Sequence, residues 1–409
     1  MKVVLKWVRK HYTKVVSSIA FYPAIIAVFF LLLSIVMLQV DFSDAGKDFK
    51  QQLSWLSLKD ASTARSILTT VAAGVISLTV FSFSMVMIVL NQAASQMSNR
   101  ILSSMIENRF QQIVLGFYIG TIVYSLFLLS TIRDISSGIY VPAISIYLLI
   151  LLTIVDIFLF IYFLDYVTQT VKFETVIRRV QQQTIAAMMK HFCPETSKAT
   201  AYSEEPFITL PANDSGYYQG FDTHKLSDLA NRRKLCFEIL QPKGTYFVQG
   251  TDFMNIFGTA ALTDDLKKDI YLSVDFFSGQ PIDQNPEYGF RQLAEVAIKA
   301  LSPGINDPAT AVLSINALTE LFAYRLDNCL PDVIKNDQSE IIIRQVVPTF
   351  AELFEDCMYP IWAYGKNDRY IRNGFLHMLD QLKQLDRKKR HTDLLKRFHA
   401  HLTDAGAGD

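Results

Sequence analysis

Four stretches of this chain contain no Asp, Glu, Lys or Arg: Val15 to Val40, Ser66 to Asn99, Phe110 to Ile132 and Ile135 to Val155. Each exceeds the roughly 20 residues that carry an α-helix across a hydrocarbon core about 30 Å thick. Inside lipid a chain must satisfy its own N–H and C=O groups, so such runs fold as helices. The 409-residue chain is therefore expected to open with an α-helical membrane domain of four transmembrane helices and to continue as a polar remainder of more than 200 residues.

The first run follows Lys2, Lys6, Arg9, Lys10 and Lys14. It is too long for a signal-peptide core, and no small-residue cleavage motif precedes Asp41, so it reads as a retained helix. Basic residues without acids place the N-terminus in the cytoplasm, and four crossings return the chain there. Lys172, Arg178, Arg179 and Lys190 just beyond the fourth run agree with that orientation. Cys193, Cys236, Cys329 and Cys357 all lie in the polar part without CxxC spacing, which fits a reduced compartment and indicates neither a disulfide framework nor a zinc site. A formal net charge of zero gives no reason to expect nucleic acid as a partner. The seven histidines are scattered, and HExxH, Walker and GxSxG patterns are missing, so neither enzymatic activity nor a cofactor is expected.

The expected domains are a transmembrane domain over 1–166, an amphipathic connecting helix over 167–192, a Pro-containing linker over 193–212, a β-rich module over 213–280 and a helical module over 281–409. Strand signals are GYYQGF, KLCFEIL, TYFVQ and DIYLSVDFF, with a short helix from Asp222 to Arg233 between the first two. Beyond Tyr288 the apolar period becomes helical, as in Val312, Ile315, Leu318 and Phe322. The polar half is thus an α+β domain on the cytoplasmic side.

The second run carries a hydroxyl or amide at every seventh position: Thr63, Thr70, Ser77, Ser84, Asn91 and Ser98. A helix drifts only about 20° per heptad, so these side chains share one face. Phe81 and Ile88 fall on the same face, which is therefore mixed. Such a face suits a pore, where hydroxyl rings alternate with apolar rings that gate by dewetting. It equally suits close packing through Ala73, Gly74 and Ser77. At 34 residues the run spans about 50 Å and exceeds the bilayer.

Asp156 is the intramembrane charge, roughly 20 Å from the outer end of the fourth helix. A carboxylate there costs about 3 kcal/mol or more unless paired or hydrated. It is either a clasp to Asn91, Gln92 or the hydroxyls of the second helix, or a cation-attracting or proton-titrating group beside a pathway. Gly116 and Gly120 in the third helix form a GxxxG pair that lets another backbone approach.

The segment RQLAEVAIKALSPGINDPATA, Arg291 to Ala311, is the most specific string. Together with VLNQAASQMSNRIL, QQIVLGFYIGTIVYSL and the turn between Gly244 and Gly250, it resembles a family of bacterial membrane proteins numbered 2254 among domains of unknown function. The resemblance covers nearly the whole chain and implies this architecture in a bacterial inner membrane; it carries no activity. Where the family's second helix usually ends in a Ser-Pro-Arg-like triplet, this chain has Ser98, Asn99 and Arg100. From the residues alone, Asn306, Asp307 and Pro308 read as a helix start with Asp307 as N-cap and Pro308 at the first position. The corner is either structural or, with Arg291 adding charge, an anion or ligand site at a helix N-terminus.

Two functions remain open. One is an oligomeric, channel-like protein whose second helix, copied around a symmetry axis, lines an ion path through Thr70, Ser77, Phe81, Ser84, Ile88 and Asn91. The other is a membrane-anchored sensor or scaffold whose cytoplasmic domain binds a ligand or protein. The lipid bilayer is a partner in both.

Overall fold

The computed structural model describes residues 20–44, 46, 60–96, 109–132, 134–135, 138–139, 141–170, 172–194, 208–258, 263–277, 282 and 285–404. The basic N-terminal residues, Ser98, the Ser98-Asn99-Arg100 triplet and the side chain of Gln92 lie outside them. The chain divides into two compact units, 1–172 and 173–409.

In the first unit the helices are α1 (Phe21–Phe42), α2 (Ala61–Gln96), α3 (Arg109–Thr131) and α4 (Ala143–Thr170), with a two-stranded turn, β1 (Asp134–Ile135) and β2 (Gly138–Ile139), between the last two. All four are long and apolar enough to cross a membrane. Pro23 sits in the first turn of α1, where its missing N–H breaks no helical bond. Asp60 starts α2 by accepting from the backbone N–H groups of Ser62 and Thr63 at 3.2 and 2.8 Å.

The hub is α3, half of whose apolar window is buried (50%), against 17–22% in the other three helices. Its glycine pair makes the contact with α1. A Cβ on Gly116 would lie 3.2 Å from the Pro23 Cα, and one on Gly120 would lie 2.7 Å from the ring of Phe30, itself held edge-on against Phe117. The GxxxG pair therefore serves packing. Gly120→Ala is expected to lower the unfolding midpoint of the full-length protein in detergent, with a loss of about 2 kcal/mol, because the 3% exposed Phe30 ring has no room to swing. Gly74→Ala is the control, since its Cβ meets nothing within 4 Å and the midpoint should hold.

Side-chain hydroxyls tie the helices where lipid offers no competing partner. Ser125 on α3 donates to the Leu68 carbonyl of α2 at 2.9 Å, and Tyr124 donates to the Ser145 carbonyl of α4 at 3.2 Å. Asp41, in the last turn of α1, accepts from the backbone N–H groups of Ile144 and Ser145 at 3.1 and 2.7 Å and from the Ser145 hydroxyl. The carboxylate of one helix thus caps the start of another.

The second unit opens with α5 (Phe173–His191), followed by β3 (Cys193–Pro194), β4 (Ile208–Pro211), β5 (Gly216–Phe221), α6 (Thr223–Arg233), β6 (Cys236–Ile239), β7 (Tyr246–Phe247), β8 (Asp252–Phe257), α7 (Asp264–Ser273) and β9 (Val274–Phe277). Then come α8 (Pro286–Ala300), α9 (Pro308–Arg325), β10 (Asn328–Cys329), β11 (Val333–Lys335), β12 (Ile341–Gln345), α10 (Phe350–Gly365), α11 (Arg369–Leu385) and α12 (Thr392–Asp404). A five-stranded sheet in the order β11-β12-β6-β8-β4 is antiparallel except for β12 with β6, and β7-β5-β9 form a second, antiparallel sheet. Leu210, Phe237, Ile239, Phe253, Ile256 and Ile343 share their core with Leu226 of α6 and Leu266 and Ile270 of α7.

Four boundaries differ from expectation. β4 lies in the stretch read as linker, where only four residues with a buried Leu210 mark it as an edge strand. Asp264–Ser273 is a helix, capped by the Thr263 hydroxyl and burying Leu266 and Ile270 four apart, so DIYLSVDFF is strand only from Val274. The stretch read as helical contains β11 and β12, which complete the main sheet. The amphipathic connecting helix, read as 167–192, begins later: α4 runs on to Thr170 and α5 covers Phe173–His191. It packs in the second unit, where a Cβ on Gly289 of α8 would collide with the Thr184 hydroxyl.

Candidate functional site

The helix α2 has two distinct sides. Ala64, Leu68, Ala72, Val75, Ser82, Val86 and Val89 are buried against the other helices of the unit. Thr70, Ser77, Phe81, Ser84, Ile88 and Asn91 are all exposed, as are Ala73 and Gly74. Among the described residues, packing through Ala73, Gly74 and Ser77 is therefore not made, and the polar row faces away from the other described helices of the unit. Ser77 and Ser84 donate back to the carbonyls of Ala73 and Val80 at 3.0 and 2.8 Å, which satisfies both hydroxyls without water. Phe81, 54% exposed, stands edge-on to Phe160 of α4 at 5.7 Å between ring centroids.

Asp156 points the other way. It is fully buried, thirteen residues into α4 and so about 20 Å from that end. Asn91 lies on the opposite side of α2 and gives it no clasp. Its surroundings come mainly from α3. The Thr121 hydroxyl lies beside the carboxylate, Tyr118 is close enough to feel its charge, and the Ser82 hydroxyl of α2 lies beside the Tyr118 phenol. All four residues are fully buried. Among the described residues none of their five side-chain oxygens completes a hydrogen bond. Buried polar atoms left in that state are costly and uncommon.

In the sequence the glycines of this helix stand out, and Tyr118 and Thr121 do not. The signal was present: Gln111, Tyr118 and Ser125 repeat every seven residues, Thr121 lies one turn from Tyr118, and all four are buried. The heptad row facing the interior of the protomer is on α3.

In the second unit the Asn306 corner is built as a helix start. Asn306 adopts φ 48°, Pro308 is the first residue of α9, and the Asp307 carboxylate accepts from the Thr310 backbone at 3.1 Å and the Thr310 hydroxyl at 2.6 Å. Arg291 lies one turn into α8, nine residues or about 14 Å of helix from Ala300, which the Asp307 N–H contacts. The structure does not bring Arg291 to the corner. It places Arg291 3.9 Å from Asp356 and within electrostatic reach of Glu287.

Glu287 is 2% exposed. Burial pushes its carboxyl up to about 7 even though Arg325, Arg291 and Lys243 all pull it down. Arg325, 1% exposed, is fixed by the carbonyls of Asn328 and Pro348, both at 2.9 Å, and stacks its guanidinium 5.7 Å above the Phe192 ring. Among the described residues no three His, Cys, Asp or Glu side chains converge as a metal site. The four cysteines form no disulfide, and burial raises the Cys357 thiol to about 12, which leaves it unreactive.

The chain is similar to the uncharacterized proteins Mb1321c of Mycobacterium bovis and Rv1290c of Mycobacterium tuberculosis. Each is 26% identical over 333 residues, which make up 78% of this chain and 64% of the relative. The chain thus spans less than two thirds of the length of these relatives. No solved structure matches. The model of the family described as "Predicted membrane protein (DUF2254)" matches residues 16–381, taking in all four membrane helices and most of the second unit, and the chain belongs to that family.

Proposed function

We propose that the protein is an oligomeric, channel-like integral membrane protein in which α2 of several copies surrounds an ion pathway. The C-terminal domain, on the cytoplasmic side of a bacterial inner membrane, regulates it. The observation that carries the reading is the outward direction of Thr70, Ser77, Ser84 and Asn91, away from the other helices of the protomer. A closed ring of copies turns one such face of each protomer toward a common axis. Phe81 and Ile88 on that side supply apolar rings able to shut the path by dewetting.

Protein reconstituted in liposomes is expected to pass ions. Phe81→Ser and Ile88→Ser should each raise the leak several-fold, the second without touching the contact between Phe81 and Phe160. Bilayers that stay silent under voltage, tension and pH change, for all three proteins, would leave the row as a lipid-facing surface. The molecule would then be a membrane-anchored sensor or scaffold, a reading favoured by the buried ionic group around Glu287.

A further inference from the structure

We propose that Cys193 and Cys329 are a reversible redox pair, closed to a disulfide by exchange with a low-molecular-weight disulfide of the glutathione type. The two residues are 136 positions apart and carry no CxxC signature, so only the fold joins them. Strands β3 and β10 pair antiparallel with Cys193 directly opposite Cys329. Facing residues of such a ladder hold their Cα atoms roughly 4.5 or 5.5 Å apart and turn their side chains to the same side. Both spacings lie inside the roughly 4.4–6.8 Å that a disulfide spans, so the bond can close without separating the strands. The Cys193 thiol already lies over its neighbour, donating to the Cys329 carbonyl at 3.6 Å.

One buried side chain positions both strands. The Arg325 guanidinium lies 5.7 Å above the ring of Phe192, the residue before Cys193, and donates at 2.9 Å to the carbonyl of Asn328, the residue before Cys329. The Phe192 ring also meets Tyr324 at 6.5 Å between centroids. Both cysteines are half-buried and line one cavity of about 390 Å3, which gives a reagent its way in. Cys236 and Cys357 differ: each is buried, and burial raises both thiols.

The exchange runs in two displacements. One cysteine thiolate attacks a sulfur of the reagent, whose other half leaves as a thiolate; the second cysteine then attacks the protein sulfur of this mixed disulfide and expels the remaining half. One S–S bond breaks and one forms. Two electrons pass from the cysteines to the reagent, and the two protons they give up end on its two thiols. The bond fastens the strand after α5 to the strand after α9. Where glutathione is kept reduced the reverse exchange opens it again, which makes the pair a switch and not a framework. Both cysteines belong to the second unit, so the pair stands or falls separately from the ion pathway.

The test uses the full-length protein in detergent, incubated with glutathione disulfide or with reduced glutathione, denatured in N-ethylmaleimide and mapped by mass spectrometry after proteolysis. Glutathione disulfide should yield two peptides joined through Cys193 and Cys329 and leave Cys236 and Cys357 as maleimide adducts. The midpoint of thermal unfolding should rise by about 10 °C, because the bond closes a long loop in the unfolded chain, and dithiothreitol should cancel the rise. Cys193→Ser and Cys329→Ser should each lose the rise and keep glutathione on the cysteine that remains. Should neither variant fold, the peptide map of the unaltered chain decides. Glutathione held by either cysteine of that chain without passing to the other would overturn the proposal, as would thiols that stay inert. Bonds between copies, a bond that forms only in urea, or a bond that leaves the midpoint unchanged would overturn it equally.

Discussion

Asp41→Ala is expected to destabilise the membrane unit by about 3 kcal/mol, since a charged hydrogen bond contributes roughly 1.5–3 kcal/mol and a lost N-cap roughly 0.5–2 kcal/mol. The carboxylate is fully buried and accepts from two backbone N–H groups and one hydroxyl at the start of α4. An acid in the last turn of a helix faces the negative end of its own dipole, so α1 gains nothing from it. The positive end of α4 and its unpaired N–H groups supply what α1 does not. Alanine leaves the N–H groups of Ile144 and Ser145 buried without these acceptors. Asp41→Asn keeps one acceptor oxygen without the charge and should fall between, while Ser145→Ala keeps the backbone bonds and should lose the least. Unfolding midpoints of the full-length protein in detergent give the order, and a midpoint of Asp41→Ala equal to wild type would refute the clamp.

Asp41 also shows which features the sequence conceals. The four membrane helices follow from local composition alone, since no other fold satisfies uncharged runs of that length in lipid. The GxxxG contact of α3 was legible for the same reason: two missing side chains one turn apart are a local pattern, and Phe30 and Pro23 fill the space. Asp41, by contrast, reads as the first residue of a loop, because its partners Ile144 and Ser145 lie more than 100 residues away. The outward row of α2 was visible as a periodicity, but periodicity carries no direction. Only the burial of Leu68, Val75 and Ser82 tells which side meets the bundle.

The second unit was legible wherever a cap or alternation is local. Asp222 and Asp307 cap their helices as their neighbours demand. The sequence does not announce β12, whose place is set by pairing with β6 about 100 residues earlier, nor β11, which is placed only by pairing with β12. Glu287 looked like any acid in the first turn of a helix. Its burial depends on α9, on Lys243 from the β-rich part and on α5 folded beside Gly289, none of which its neighbours in the chain announce.

That burial gives the second large expectation, a stability profile that falls as pH rises. The folded carboxyl titrates near 7, while an unfolded glutamate titrates near 4.5, so between those values the folded state holds a proton that the unfolded state has released. Stability therefore declines across that window, with little change below it, and above pH 7 the full penalty for ionising Glu287 is present, about 3 kcal/mol. Arg325, Arg291 and Lys243 limit the penalty without cancelling it, because water is excluded from a carboxylate that is 2% exposed. Glu287→Gln keeps the shape of the protonated acid at every pH. The variant should match wild type near pH 4.5, exceed it by up to about 3 kcal/mol at pH 8, and show a flatter midpoint-against-pH curve between. Parallel curves would mean that Glu287 stays ionised in the folded protein, held by its three cations in a true buried salt-bridge network. In that case removing its charge should lower stability at pH 8, the opposite sign.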